Sequence, residues 1–250
     1  MPAHYDDPNY SYLQYWQDRN YEHLSEVFAI QKLLGNLKVG TAVDIGGGYG
    51  RLIPTLYPFA KRLTLVEPSA KQRRIAKSQL SQIKNLTIAS GTAQKTHLPD
   101  SSQDLITLVR VMHHLPDPQV ALSELNRILK PHGLIILEFA NSYNFKARIA
   151  SLITGRPILP IPIEKRSLIN IKRQTIPFVN HHPQTIQKLL RKSGFVVKSQ
   201  LSVSNFRSPL IKRFVPLPIL LFLEKKLQSP LGNLYFGPSI FLLLDKQTNP

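Results

Sequence analysis

The chain has 250 residues, of which 42% are hydrophobic and 8% are aromatic. This length and composition suit one globular unit with a sizeable core and exclude a disordered chain. Because the sequence contains no cysteine, disulfides, thiolate metal sites and cysteine nucleophiles are excluded, including the covalent cysteine route to C5 of RNA pyrimidines.

The net charge of +17 is unevenly distributed. Residues 1–138 carry 15 Lys and Arg against 12 Asp and Glu, whereas residues 139–250 carry 17 against 3. A basic region attracts nucleic acid, anionic lipid surfaces or acidic substrates. A solvated basic surface without a partner explains the same pattern equally well.

The N-terminus lacks the basic start and apolar core of a signal peptide, so a cytoplasmic protein is expected. The longest apolar run, residues 214–223, contains two prolines and is far shorter than the roughly 20 residues that cross a bilayer. This run is expected either to lie on a membrane surface, making an anionic membrane a peripheral partner, or to cover an apolar substrate.

An aromatic arm with Tyr12, Tyr15 and Trp16 precedes a helical pattern over residues 21–34, which Gly35 ends. Together these residues predict an N-terminal helical cap, residues 1–36. The arm is expected either to close over a cofactor, with Arg19 pairing with the cofactor's carboxylate, or to pack on the sheet edge.

Strand and helix patterns then alternate. This alternation predicts a doubly wound α/β sheet with right-handed crossovers, whose ligands bind at the carboxyl ends of the strands. The expected strands cover residues 41–45, 62–67, 85–90, 104–111 and 133–140, and the expected helices 50–57, 69–82 and 118–130.

The turn after the first strand carries most of the chemical information. Glycines at 46, 48 and 50 permit positive φ and close approach of a ligand to the backbone. A dinucleotide fingerprint would place a third glycine where Arg51 stands, and Asp44 would repel a pyrophosphate but suit a sulfonium or ammonium group. Glu67, at the end of the second strand, suits a ribose diol. The turn therefore favours S-adenosylmethionine over NAD.

The regular alternation of strand and helix patterns ends after residue 140. Two irregular, basic, proline-containing inserts are expected to form a substrate lid. The single domain accordingly divides into a cofactor-binding core at 37–140, inserts at 141–182 and 206–238, and segments at 183–205 and 239–250 that complete the sheet.

Four ordered motifs then give a family resemblance: residues 43–50, 65–68, 104–117 and 129–138. On these motifs the chain resembles the class I S-adenosylmethionine-dependent methyltransferases, especially those acting on small molecules and lipid quinones. The resemblance implies a Rossmann-like, seven-stranded, mostly parallel sheet whose last two strands pair antiparallel at its edge.

The cofactor contacts expected from the turn, the arm and the resemblance together fall mainly at strand ends. Thr92 departs from the family, which commonly has an acid there to accept from the adenine amino group. The expected contacts are Asp44, Gly46, Gly48, Gly50, Glu67, Pro68, Thr92, Ala93, Val109, Arg110 and Arg19.

Three histidines are candidate catalytic residues. His113 and His114 follow the fourth strand, near the expected methyl position, and act either as base or substrate contacts or as an ordinary polar loop. His182 lies where the first insert meets the next helix and contacts either substrate or solvent. The histidine spacing matches no standard metal-ligand pattern, so no metal is expected.

The leading hypothesis is a methyltransferase acting on oxygen, or alternatively carbon or nitrogen, of a small organic or lipid-like acceptor. One rival is an RNA methyltransferase, which the basic C-terminal part favours; the sequence lacks an Asn-Pro-Pro-Tyr or Asp-Pro-Pro-Tyr motif after the fourth strand. Another is a non-catalytic descendant that binds a nucleotide or an anionic surface. The sequence does not fix an oligomeric state.

Overall fold

The structure is a computed structural model that describes residues 4–7, 10–173 and 175–246. Its described residues form a seven-stranded sheet in the order β3-β2-β1-β4-β5-β9-β8, and β6 and β7 form a separate pair. The strands are β1 (Val39–Ile45), β2 (Ala60–Val66), β3 (Leu86–Ala89), β4 (Gln103–Leu108), β5 (Leu129–Ala140), β6 (Ile163–Glu164), β7 (Val179–Asn180), β8 (Phe195–Val203) and β9 (Ser239–Lys246).

Helices cover both faces of this sheet. The α-helices are α1 (Tyr12–Gln17), α2 (Asn20–Leu34), α3 (Ile53–Leu56), α4 (Ala70–Gln79), α5 (Gln119–Ile128), α6 (Phe145–Thr154), α7 (Leu168–Lys172), α8 (Pro183–Lys192), α9 (Pro209–Phe214) and α10 (Leu217–Asn233). Short 3₁₀ helices occur at His4–Asp6, Tyr57–Phe59 and Met112–His114. In the described part of the chain, no helix combines the length and the apolarity needed to cross a membrane.

The topology confirms the predicted doubly wound, mostly parallel sheet. Strands β1 to β5 are mutually parallel, and β9 runs antiparallel to both β5 and β8. The last two strands therefore pair antiparallel at the sheet edge, as expected, although α9 and α10 connect them instead of a tight turn.

Two elements near the glycine turn differ from prediction. The helix expected at 50–57 is a single α-turn, α3, because residues 46–52 continue as turns before it. The fourth strand ends at Leu108 and not at residue 111. It stops because Arg110 adopts a positive φ of 63°, which a strand does not accommodate.

Each face of the sheet has its own apolar core. On one face, Leu122 of α5 and Ile186 of α8 pack with inward side chains of β4 and β5. On the other, Ile30 of α2 and Ile53 of α3 belong to the core. Side chains buried on both faces explain the short, continuous apolar runs of the parallel strands.

The two inserts meet at one point on the carboxyl edge of the sheet. The backbone N–H of Asn141 donates to the carbonyl of Pro238, and its side-chain amide donates to the carbonyls of Tyr235 and Gly237. The backbone N–H of His181 donates to the carbonyl of Ala140. The start and end of the first insert therefore lie beside the end of the second.

Helix α10 runs antiparallel to β8 and packs closely against it. A Cβ atom on Gly232 would lie 2.6 Å from the carbonyl oxygen of Gln200. About two helical turns before Gly232, the buried carboxylate of Glu224 accepts hydrogen bonds from the Tyr21 hydroxyl and the Ser204 N–H. These contacts fix α10 between α2 and β8.

We expect Gly232→Leu to lower the free energy of unfolding by about 1–3 kcal/mol, because the new side chain has no space against β8. Lys226→Leu, at an exposed position of the same helix, should change it by less than about 0.5 kcal/mol. Urea unfolding followed by circular dichroism measures both. Equal effects of the two substitutions would contradict the close packing.

Candidate functional site

The glycine turn after β1 is built for close approach. Gly46, Gly48 and Gly50 have φ values of +68°, +61° and +81°, a region that L side chains rarely adopt. A Cβ atom on Gly46 would collide with Val111, and one on Gly48 would lie 2.9 Å from the ring of Tyr12. Side chains that follow β4 and that belong to α1 therefore cover the glycine turn.

Asp44 lies beneath this turn with half of its carboxylate unsatisfied. The sheet register places Asp44 beside Thr107, whose hydroxyl donates to Oδ1 at 2.6 Å. Oδ2 is buried and has no hydrogen-bond partner among the described residues. A Cβ atom on Gly47, a residue that the sequence prediction omits, would collide with this oxygen. Burial raises the pKa of Asp44 to about 6.

Glu67 is held rigidly where β2 ends. Its Oε2 accepts from the N–H of Gly48 and its Oε1 from the N–H of Ser69, each at 2.9 Å. Burial raises the pKa of the Glu67 carboxyl, although both hydrogen bonds oppose that shift. Each oxygen keeps a further lone pair for a ligand hydroxyl, since a carboxylate oxygen accepts two hydrogen bonds.

A pocket with a cavity volume of about 210 Å³ lies over the turn and opens to solvent. Seven of the predicted cofactor residues line it: Gly46, Gly48, Glu67, Pro68, Thr92, Ala93 and Arg110. Residues that the cofactor prediction omits, including Tyr5, Tyr12, Val111 and Leu115, complete the lining.

The other four predicted cofactor residues lie outside this lining. Asp44 is beneath the turn, the glycine at 50 faces Leu80, and Val109 belongs to the core. The pairing of Arg19 with the cofactor's carboxylate stays a prediction; its guanidinium stacks on the ring of Tyr15, 4.0 Å from the centroid.

The N-terminal segment crosses the pocket and is secured at its far side. Oδ1 of Asp6 accepts from the hydroxyl of Ser69 at 2.6 Å and from the N–H of Lys71 at 3.0 Å, at the start of α4. Tyr5 then reaches His114, 109 residues along the chain. The sequence prediction has no role for Tyr5 or Asp6, since neither belongs to a local motif.

A second pocket adjoins the first and is mostly aromatic. Five residues line both pockets and so form the boundary between them: Tyr5, Tyr12, Arg110, His114 and Ile176. The second pocket is completed by Tyr10, Tyr15, Trp16, His113 and Phe178. Tyr15 and Trp16 are thus placed against a second site and not against the cofactor turn.

A buried carboxylate fixes Arg110 at this boundary. Glu26 of α2 accepts from Arg110 Nε at 2.6 Å and pairs with Arg51, whose guanidinium lies 3.6 Å from the ring centroid of Trp16. Burial opposes the charge of Glu26, but the two arginines outweigh it and lower the pKa of its carboxyl. The backbone N–H of Arg110 donates to Glu138 at 3.0 Å.

The three candidate histidines have different surroundings. His114 Nδ1 lies 2.8 Å from the carbonyl of Pro177, and its Nε2 lies 2.8 Å from the Tyr5 hydroxyl. Since a carbonyl only accepts, Nδ1 carries the proton and Nε2 accepts from Tyr5. His113 is buried against Phe178, with ring centroids 4.7 Å apart.

His113 and His182 are less suited to proton transfer at a pocket surface. Burial, followed by His114 and Arg110, holds the pKa of His113 well below its usual range. His182 lies outside both pockets, where it caps α8 by accepting from the N–H of Gln184 and packs on Tyr143. The substrate contact expected of His182 stays a prediction, and the role that its contacts do support is that of a helix cap.

Comparison with known proteins matches residues 43–137 to the family described as methyltransferase domain. Residues 43–137 therefore form a methyltransferase domain of class I. It is 31% identical over 97 residues to the uncharacterized methyltransferase YcgJ of Bacillus subtilis, covering 38% of each chain. It is 26% identical over 136 residues to demethylmenaquinone methyltransferase of Staphylococcus aureus, covering 53% of this chain and 50% of that protein. The matched stretch spans half or less of these relatives.

Solved structures with low sequence identity share the fold of this methyltransferase domain. An S-adenosylmethionine-dependent methyltransferase from Thermotoga maritima has a TM-score of 0.60 at 22% identity, covering 94% of this chain and 95% of that one. The [4+2]-cyclase SpnF also has a TM-score of 0.60, at 14% identity, covering 91% and 82%. The fold alone therefore does not decide the reaction.

The cofactor of this domain is S-adenosylmethionine, and the site fits it. The lining combines the Glu67 carboxylate, which suits a diol, with the rings of Tyr5 and Tyr12, which suit a sulfonium. Any side chain on Gly48 would fill the space over the turn. The nearest arginine of the turn, Arg51, is already paired with Glu26 and so does not offer an anion site.

We expect the unfolding free energy of ligand-free Asp44→Asn, relative to the parent protein, to rise by about 2 kcal/mol between pH 4.5 and pH 7.5. Because burial raises the pKa of Asp44 to about 6, the folded parent still holds a proton that the unfolded chain has released. The parent therefore loses stability as the pH rises through this window, and asparagine does not titrate.

Urea unfolding of both proteins at the two pH values measures this difference. Asp18→Asn, at an exposed position after α1, is the matched control. A difference for Asp44→Asn that stays constant with pH would show that the carboxyl does not titrate abnormally.

Proposed function

We propose that this chain transfers a methyl group from S-adenosylmethionine to a small organic or lipid-like acceptor, with oxygen as the preferred atom and carbon or nitrogen as alternatives. The observation that carries the proposal is the pair of adjoining pockets, one over the glycine turn and one lined by aromatic rings, with a shared boundary. Methyl transfer needs two ligands side by side, because reacting groups must be aligned at close range.

In the first pocket, each end of the cofactor has matching groups. Glu67 would accept from the ribose hydroxyls, and the apolar surfaces of Pro68, Ala93 and Leu115 would enclose the adenine. Thr92 would accept from the adenine amino group in place of the usual acid. When bound, the cofactor supplies an electrophilic methyl group.

The second pocket suits a flat aromatic acceptor with an ionisable hydroxyl, such as a phenol or a quinol. Rings such as those of Tyr10, Trp16 and Phe178 offer faces and edges for stacking. Arg110, held by Glu26, adds a fixed positive charge that would stabilise an oxyanion. One relative is named demethylmenaquinone methyltransferase, which agrees with a ring-shaped acceptor.

The hydrogen-bonded chain from Tyr5 to His114 offers a route for the acceptor's proton. An acceptor hydroxyl bound at Tyr5 would pass its proton to the Tyr5 oxygen as Tyr5 passes its own to His114 Nε2. The carbonyl of Pro177 holds His114 in the tautomer that can accept. His114 would then act as general base, and His113 would support its ring from behind.

We expect Glu67→Gln to weaken binding of S-adenosylmethionine by about 10–100-fold, since a charge-assisted hydrogen bond contributes about 1.5–3 kcal/mol. Isothermal titration calorimetry measures the dissociation constant. Glu164→Gln removes a carboxylate that pairs with Arg166 in the first insert, and it should change the constant by less than twofold. Equal binding by Glu67→Gln and the parent would refute the assignment of this pocket.

We expect His114→Gln to lower kcat by about 10²–10⁴-fold with a hydroxyl acceptor, because the proton route ends at this imidazole. The dissociation constant of the cofactor should stay within about threefold of the parent value. His132→Asn, at an exposed position in β5, is the control. Formation of S-adenosylhomocysteine with a panel of phenols and quinols measures turnover; an unchanged kcat for His114→Gln would exclude His114 as the base.

The basic C-terminal part favours one second candidate, an RNA methyltransferase, because 17 Lys and Arg stand against 3 Asp and Glu in residues 139–250. Retention on RNA with a steep salt dependence, together with methyl transfer to RNA, would establish it. Binding of cofactor without turnover of any acceptor would instead indicate a non-catalytic descendant of the fold.

A further inference from the structure

The exposed apolar side chains of this protein are concentrated in the two inserts. Of 22 exposed large hydrophobic residues in the described part of the chain, 17 lie within 141–182 and 206–238. Single exposed apolar residues are ordinary, but such a concentration marks an interaction surface. The most exposed, each more than 60% accessible, are Leu152, Ile153, Leu168, Ile169, Leu210, Phe214 and Phe222.

Parts of both inserts stand at the carboxyl edge of the sheet, beside the pockets. In the first insert, Ile176 and Phe178 follow α7 and line the aromatic pocket. In the second, Glu224 of α10 is level with Ser204, just past the end of β8. Because α10 runs antiparallel to β8 and rises about 1.5 Å per residue, its residues 217–223 extend about 10 Å beyond this edge.

The charge of the same segments is almost entirely positive. The inserts contain seven and five Lys and Arg, and one glutamate each. Glu164 is paired with Arg166, and Glu224 is buried in hydrogen bonds to Tyr21 and Ser204. The exposed side chains of the inserts are therefore apolar, cationic or neutral and polar, and the one exposed acid, Glu164, is paired with Arg166.

We propose that the insert surface, meaning the exposed apolar and basic side chains of residues 141–182 and 206–238, docks this protein on an anionic lipid bilayer with the pocket edge facing the membrane. Apolar side chains enter the interface, and Lys and Arg bind the anionic head groups. A protein partner fits less well, because protein interfaces are depleted in lysine at their cores.

Docking in this orientation gives a lipid-like acceptor direct access to the aromatic pocket. This consequence rests on the proposed methyltransferase function, whereas membrane binding itself does not depend on the cofactor. If the protein binds vesicles but transfers no methyl group, the docking proposal stands and the enzymatic one fails. If it transfers a methyl group but binds no vesicles, the enzymatic proposal stands and the docking one fails.

Vesicle sedimentation of the full chain tests the proposal. Vesicles of phosphatidylcholine with about one third phosphatidylglycerol should pellet the protein at 0.1 M salt, and pure phosphatidylcholine should bind it at least tenfold more weakly. Two double variants remove apolar anchors, one from each insert: Leu168→Ser with Ile169→Ser, and Leu210→Ser with Phe214→Ser. Each should lower the partition coefficient at least fivefold.

The control double variant is Tyr57→Ser with Val120→Ser, which removes two exposed apolar side chains outside the inserts. It should bind vesicles as the parent does. Arg156→Gln with Arg213→Gln should weaken binding to anionic vesicles while leaving the residual binding to neutral vesicles unchanged. Circular dichroism and cofactor titration establish that each variant is folded.

Three results would overturn the proposal: no binding to anionic vesicles, equal binding to both vesicle types, or parent-like binding by the two double variants that lack apolar anchors. A further contrary outcome is a dimer in size-exclusion chromatography that becomes monomeric when Leu210 and Phe214 are replaced. The insert surface would then be an interface between two copies of the chain.

Discussion

The buried ion pair between Glu26 and Arg110 is the constraint on which both pockets depend. It joins α2 to the chain just after β4, and the backbone N–H of Arg110 is bound in turn by Glu138 of β5. Removing one partner of such a pair typically costs about 3–5 kcal/mol, since the other charge stays buried. The pair thereby holds Arg110 at a positive φ, which ends β4 and directs the chain into the 3₁₀ helix at Met112–His114.

The turn at Arg110 positions residues of both pockets. It places Val111 against the glycine turn and His114 within reach of Tyr5, so the N-terminal segment can close across the site. Asp6 completes the closure by bonding the start of α4. A site enclosed in this way excludes water from charged groups, and electrostatic interactions strengthen in such surroundings.

The sequence predicts the part of the candidate site that is local in the chain. It predicts the turn at 46–50 and Glu67, because strand ends and glycine spacing are short-range patterns. It does not predict Tyr5 and Asp6, because their partners lie 109 and 63 residues away. Arg19 and His182 make local contacts that the sequence also leaves unpredicted: Arg19 stacks on Tyr15, four residues earlier, and His182 caps α8, and no periodicity marks either contact.

The inserts, and not the cofactor turn, account for the uneven distribution of charge along the chain. The residues around the cofactor turn are carboxylates, glycines and tyrosines; Arg51 beside them is paired with Glu26, and Arg110, also held by Glu26, stands at the boundary with the second pocket. The positive charge of the C-terminal part therefore does not serve cofactor binding. It accumulates on the inserts, where Glu164 is paired with Arg166, Glu224 is buried in hydrogen bonds to neutral groups, and many apolar side chains are exposed. A chain that needed this charge only for solubility would have no reason to place its exposed leucines, isoleucines and phenylalanines among it, since such side chains reduce solubility.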